Sequence, residues 1–192
     1  VPKRSALARA RAAAADPRVS RPDDIARPDR LLTPLRLDIG GFRVPYEPER
    51  YTVVDRYGDP DVLADMGDLP FHDNTVDAIW ASHVLEHCDM GKVPDVLREW
   101  LRVMRPGGRA IIRVPDFNYV ARYWLTGPDR GWAEAMVFGL QSDEGEYHKA
   151  AFTADLLRGD LEGTGWKVLR IEMRWTHNQE TLQAVATKAV PE

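Results

Sequence analysis

Leu37-Asp38-Ile39-Gly40-Gly41 closes one hydrophobic run with a carboxylate and two glycines, and Tyr51-Thr52-Val53-Val54-Asp55 closes a second run with another carboxylate. Working outward, Ala64-Asp65-Met66 follows, then the apolar Val76-Asp77-Ala78-Ile79-Trp80, then the breaker Arg105-Pro106-Gly107-Gly108. Short apolar runs bounded by Gly, Pro, Asp or Asn read as strands, here over 35–39, 51–55, 76–80 and 110–114. Between the last two, Val93, Val96, Leu97, Trp100, Leu101 and Met104 recur at helical spacing and form one apolar face. The Arg-Pro-Gly-Gly turn stops that helix. Strands alternating with helices predict an α/β fold whose mostly parallel sheet is covered on both faces.

The flanks differ. Residues 5–15 are rich in Ala and Arg and favour a helix. Asp16-Pro17 ends it, because proline disfavours helix in the residue before it. Residues 1–30 thus read as an N-terminal helix and linker, and residues 31–192 as one domain. Residues 119–140 read as helical material with an aromatic face (Tyr119, Tyr123, Trp124, Trp132, Met136, Phe138). Thr153 is a candidate cap for a helix to about residue 162, which Gly163 and Gly165 would end. Residues 167–173 and 181–188 alternate in polarity and predict a closing antiparallel pair, with 176–178 in the turn.

Composition narrows the function. The 192 residues suit one core, with 44% hydrophobic and 29% charged residues. A net charge of −4 argues against a nucleic-acid substrate. The single cysteine, Cys88, permits neither an intrachain disulfide nor a cysteine metal cluster and fits a cytoplasmic protein. No apolar run is long enough to span a membrane, and no apolar signal core is evident.

Ligands of open parallel sheets bind beyond the carboxyl ends of the strands. Asp38, Gly40 and Gly41 end the first strand there, and glycine lets backbone approach a ligand because no Cβ intervenes. Asp55, at the end of the second strand, can accept both hydroxyl hydrogens of a ribose. A free carboxylate there also disfavours a 2′-phosphate. Asp65 can accept from an adenine amino group, and Met66 offers the ring a soft apolar face.

These pieces, with Asp-Met-Gly-Asp-Leu-Pro-Phe-His-Asp-Asn-Thr-Val-Asp-Ala-Ile-Trp-Ala-Ser-His-Val-Leu-Glu-His (65–87) and Leu-Arg-Glu-Trp-Leu-Arg-Val-Met-Arg-Pro-Gly-Gly-Arg (97–109), resemble the class I S-adenosylmethionine-dependent methyltransferases. The resemblance covers roughly residues 35–116, with a weaker echo at Gly165-Trp166. It implies a single-domain Rossmann-like methyltransferase fold, seven-stranded with an antiparallel last strand. It also implies S-adenosyl-L-methionine as cofactor, with contacts at Asp38, Gly40, Asp55, Asp65, Met66 and Ser82. Only nine residues, 42–50, separate the first two strands, and Pro45 and Pro48 are among them. The first crossover helix is therefore reduced to about a turn or replaced by a loop. Arg43 is a candidate to hold the cofactor's carboxylate in its place.

His83, just past the fourth strand, and His148, in Gly145-Glu146-Tyr147-His148-Lys149, are the candidate catalytic side chains. Imidazole is the side chain best matched to accepting a proton near neutral pH. Asp116 and Tyr119 are weaker candidates, while Glu86 and His87 read as packing or capping groups. The His83–His87 spacing matches a metal pair on a helix, but no third ligand is evident and no metal is expected. The expectation is methyl transfer to an oxygen or nitrogen of a small molecule or sugar. A methyltransferase-like partner subunit without catalysis is the alternative. A nicotinamide oxidoreductase is disfavoured, because the third glycine of the dinucleotide fingerprint is missing.

Overall fold

The computed structural model describes residues 34–41, 51–58, 60–176 and 179–191. The N-terminal helix and linker expected over 1–30, the crossover 42–50 with Arg43, and the turn residues His177 and Asn178 lie outside the described residues.

Seven strands form one sheet: β1 (Arg36–Ile39), β2 (Thr52–Asp55), β3 (Val62–Leu63), β4 (Val76–Ser82), β5 (Met104–Pro115), β6 (Trp166–Thr176) and β7 (Gln179–Lys188). Their order is β3-β2-β1-β4-β5-β7-β6. β1 lies between β2 and β4 and is parallel to both, with Leu37 opposite Thr52 and Ile79. β5 is parallel to β4, whereas β7 is antiparallel to both its neighbours, β5 and β6. Chain order reverses about β1 and β4, so the crevice at their carboxyl ends is where such a sheet receives a ligand.

The helices among the described residues are α1 (Val93–Val103), α2 (Phe117–Thr126), α3 (Arg130–Phe138) and α4 (Ala154–Gly163), and helices cover both faces of the sheet. α1 buries Val93, Val96, Leu97, Trp100 and Val103, the face its spacing predicts. Met104 is buried too, but as the first residue of β5, opposite Val76. The strand thus starts directly after the helix, earlier than residue 110, with an irregularity between Val76 and Ala78. Gly107 makes this early start possible, because its φ of +79° suits glycine. The helical material of 119–140 is two helices, not one. Gly127-Pro128 divides it, since proline lacks the N–H and disfavours helix in the residue before it. Asp116, only 4% exposed, caps α2 by accepting from Asn118 N and Tyr119 N, both at 3.2 Å. Thr153 caps α4, its Oγ1 accepting from Leu156 N at 3.3 Å. Tyr119, Tyr123, Trp132 and Trp175 form one aromatic cluster outside the sheet core.

Two anchors fix the loop between β3 and β4 beneath α1. Trp100 Nε1 donates to Met66 O at 2.8 Å. Arg102 donates to Phe71 O at 2.9 Å and Leu69 O at 3.1 Å, and it pairs with Glu99 and Asp73. These bonds hold Met66 where the sheet edge meets solvent. No helix among the described residues is long and apolar enough to cross a membrane.

Candidate functional site

A cavity of about 320 Å³ opens at the carboxyl ends of β1, β2 and β4, within the usual range for small-molecule sites. Gly40, Asp55, Asp65, Met66, His83 and His87 are on its wall, together with the Tyr57–Gly58 turn and the loop that contains Glu146 and Lys149. Gly41, Asp38, Ser82 and His148 are not on that wall. Arg43 is outside the described residues.

Gly40 has φ +102° and Gly41 φ +74°, a backbone region that side chains rarely adopt. A Cβ at Gly40 would lie 2.7 Å from Val84 Cβ, and one at Gly41 would lie 2.5 Å from Asp55 Oδ2. The second glycine therefore keeps space open around the Asp55 carboxylate. Asp55 Oδ1 accepts from Tyr57 N at 2.8 Å. Burial raises the Asp55 pKa, while backbone N–H groups and the nearby His87 oppose the rise.

Asp38 lies directly behind the wall residues Ile39 and Gly40 and is 1% exposed. Neither of its carboxylate oxygens has a hydrogen-bond partner among the described residues. Burial first, and the charge of Asp55 second, push its pKa up to about 7. A carboxylate buried without a hydrogen-bond partner is costly while it is charged. Asp65, with a side chain 49% exposed, accepts from Gly67 N at 2.8 Å and pairs with Arg56 at 3.3 Å. A carboxylate has about four lone-pair sites, so capacity remains for a further donor.

Sequence spacing alone missed the grouping of the imidazoles. His83, with φ +55° and a side chain 18% exposed, sets its Nδ1 3.1 Å from Glu86 Oε1. Glu86 itself is 1% exposed. His87 packs edge to face on His148, with ring centroids 4.9 Å apart. One ligand atom each from Glu86, His87 and His148 lies within 4.8 Å of the others. His148 is thus the neighbour that His87 lacks in the sequence, sixty-one residues away in the numbering. Lys149 N and Ala150 N both donate to Glu86 O, at 2.7 and 3.1 Å, and this backbone clamp makes the meeting possible. Burial lowers the His148 pKa.

Comparison with known proteins agrees with the fold. A family described as a methyltransferase domain matches residues 45–112. Ubiquinone/menaquinone biosynthesis C-methyltransferase of Desulfotalea psychrophila is 33% identical over 109 residues, 50% of this chain and 44% of that protein. The chain therefore spans less than half the length of this curated relative. Among solved structures, the Burkholderia thailandensis 1,6-didemethyltoxoflavin-N1-methyltransferase, with bound 1,6-didemethyltoxoflavin and S-adenosylhomocysteine, superposes with a TM-score of 0.60 at 19% identity. The match covers 81% of this chain and 71% of that one. A SAM-dependent methyltransferase from Archaeoglobus fulgidus gives a TM-score of 0.57 at 15% identity, over 80% and 85% of the two chains. The fold is that of the class I S-adenosylmethionine-dependent methyltransferases.

Proposed function

We propose that this chain, with its class I methyltransferase fold, binds S-adenosyl-L-methionine in the cavity and methylates an oxygen or nitrogen of a small molecule or sugar. The observation that supports this most is the convergence of Asp55, Asp65, Met66 and Gly40 on one cavity, with the buried Asp38, which has no hydrogen-bond partner among the described residues, next in the chain to the wall residue Ile39.

The residues fit the cofactor. Asp55 would accept from the ribose hydroxyls, in the space that Gly41 leaves open. Asp65 would accept from the adenine amino group, and Met66 would pack on the ring. Asp38 would supply the negative charge that an amino group needs in a buried place. The bound cofactor supplies an electrophilic methyl group on a sulfonium centre. The chain's task is then mainly alignment of acceptor and methyl, a positional effect that needs no catalytic triad. His83 is the candidate imidazole that reaches the cavity wall, with Glu86 as its carboxylate partner behind it, and it would contact the acceptor. His148 would act through His87 and Glu86 as a positioning residue. The cavity mouth is framed by a loop that carries Glu146 and Lys149, groups suited to a polar acceptor of modest size.

Titration calorimetry with S-adenosylhomocysteine tests the reading. One site per chain is expected, and Asp55→Ala should weaken it roughly 100-fold, the loss of two charge-assisted hydrogen bonds. Folded protein that gives no binding heat at several temperatures overturns it and leaves the non-catalytic partner subunit as the better description.

A further inference from the structure

We propose that Glu86, His87 and His148 form a binding site for a divalent first-row transition cation of the zinc type, open toward the cavity through His87.

The argument starts from hydrogen bonds. His87 Nδ1 lies 3.1 Å from Tyr147 O, and His148 Nδ1 lies 2.9 Å from Met136 O. A carbonyl oxygen only accepts, so both Nδ1 atoms carry the proton. In a neutral imidazole the other nitrogen, Nε2, then presents a lone pair. A metal-bound histidine almost always shows this arrangement, with its second ring nitrogen donating to a carbonyl or carboxylate.

Glu86 completes the set. His83 Nδ1 engages its Oε1, which orients the carboxylate. Its Oε2 is buried and has no hydrogen-bond partner among the described residues. One ring nitrogen of each imidazole and one oxygen of Glu86 thus gather within 4.8 Å of one another. Glu86 is buried and the two histidines are half-buried, and acceptors gathered in such a place are suited to a cation at their centre. Zinc-type ions sit about 2.0–2.2 Å from such ligands, so tetrahedral ligand atoms stand about 3.4 Å apart and the triangle closes by up to about 1.4 Å on binding. Imidazole ligands favour zinc, cobalt or iron over magnesium and calcium.

The scaffold is firm where it must be. Glu86 and His87 sit on the 3-10 turn Leu85–His87, which follows β4. Lys149 N and Ala150 N bind Glu86 O, and His148 N donates to Phe138 O at 3.1 Å. A Cβ at Gly139, which has φ +78°, would collide with Glu146 O, so a glycine is needed for this segment to pass so close. His87 also lines the cavity, which leaves room for a fourth ligand on that side. Three protein ligands with one open position is the pattern of a reactive zinc site, not of a closed structural one.

The test uses the full chain, stripped with a chelator and then titrated with Co²⁺ by visible absorption and with Zn²⁺ against a chromophoric chelator. One ion per chain, a rise in melting temperature and perturbed Nε2 resonances of His87 and His148 are expected. Glu86→Gln, His87→Ala and His148→Ala should each cost at least roughly 100-fold in affinity. Replacing the exposed His72 with Ala should change nothing. Asp55→Ala should keep the metal while losing S-adenosylhomocysteine, which separates failure of this site from failure of the cofactor reading. Folded wild-type protein that binds none of Zn²⁺, Co²⁺, Fe²⁺ or Mn²⁺ saturably, or binds them equally well after the three substitutions, overturns the proposal. The wild-type titration decides even where a variant fails to fold.

Discussion

Replacing Asp38 with Asn should stabilise the cofactor-free protein at pH 8 while impairing cofactor binding. The carboxyl is 1% exposed, has no hydrogen-bond partner among the described residues, and is pushed from 3.8 up to about 7 by burial and by Asp55. A carboxyl raised in this way holds its proton in the folded state over a range where the unfolded chain has lost it. Stability from this group therefore falls as pH rises from about 4 to about 7, and the loss is complete by pH 8. At about 1.4 kcal/mol per pH unit the full penalty is about 4 kcal/mol. The amide carries no charge but leaves a buried polar group unsatisfied, at about 1–3 kcal/mol. The net gain at pH 8 is then roughly 1–3 kcal/mol, or roughly 2–10 °C in melting temperature for a domain of this size. Thermal melts of both proteins at pH 5, 6, 7 and 8 isolate the effect, because the remaining groups contribute alike to each. The wild type should gain on the variant as pH is lowered. In calorimetry, wild-type affinity for S-adenosylhomocysteine should drop by up to about tenfold per unit below pH 7, with proton release on binding, and the variant should lose that dependence. A variant that melts lower than wild type at pH 8, or a pH-independent difference between the two, would refute the idea of an uncompensated charge.

Three further substitutions probe the supports of the site. Gly41→Ala places a Cβ 2.5 Å from Asp55 Oδ2 at φ +74°, so it should cost about 1–2 kcal/mol of stability and sharply reduce S-adenosylhomocysteine binding by calorimetry. Arg102→Met keeps the apolar stem but removes the bonds to Leu69 O and Phe71 O and the pairs with Glu99 and Asp73. A loss of roughly 2–4 kcal/mol in urea unfolding is expected. Trp100→Phe deletes the bond to Met66 O and leaves a small cavity in the core, so about 2–4 kcal/mol should be lost with a several-fold weaker cofactor affinity, whereas unchanged affinity would mean that Met66 is held by other contacts.

What was legible follows from range of interaction. Local rules predict α1, because its apolar face repeats every three or four residues, and they predict the Thr153 cap, because a hydroxyl next to a helix start has few other uses. They also place Asp55 and Gly40 on one cavity wall, since strand ends in a parallel sheet share an edge. They fail on β3, two residues long and without a period to detect. They also misread the Arg-Pro-Gly-Gly turn as a stop alone, when Gly107 lets the next strand begin there as well.

The imidazole cluster fails to show in the sequence for a different reason. The i, i+4 spacing of His83 and His87 draws attention to a helical pair, yet the chain there is a short 3-10 turn, and His83 turns instead to Glu86. The partner of His87 is His148, and backbone bonds from Lys149 and Ala150 to Glu86 O help bring it close. Those bonds use no side chain, so residue types along the chain carry no trace of them. The signal that does exist is chemical: a glutamate flanked by histidines just past the end of a strand. Glu86 is 1% exposed and His83 Nδ1 stands 3.1 Å from its Oε1, so one flanking histidine accounts for one oxygen and the other oxygen is the one the proposed cation would meet.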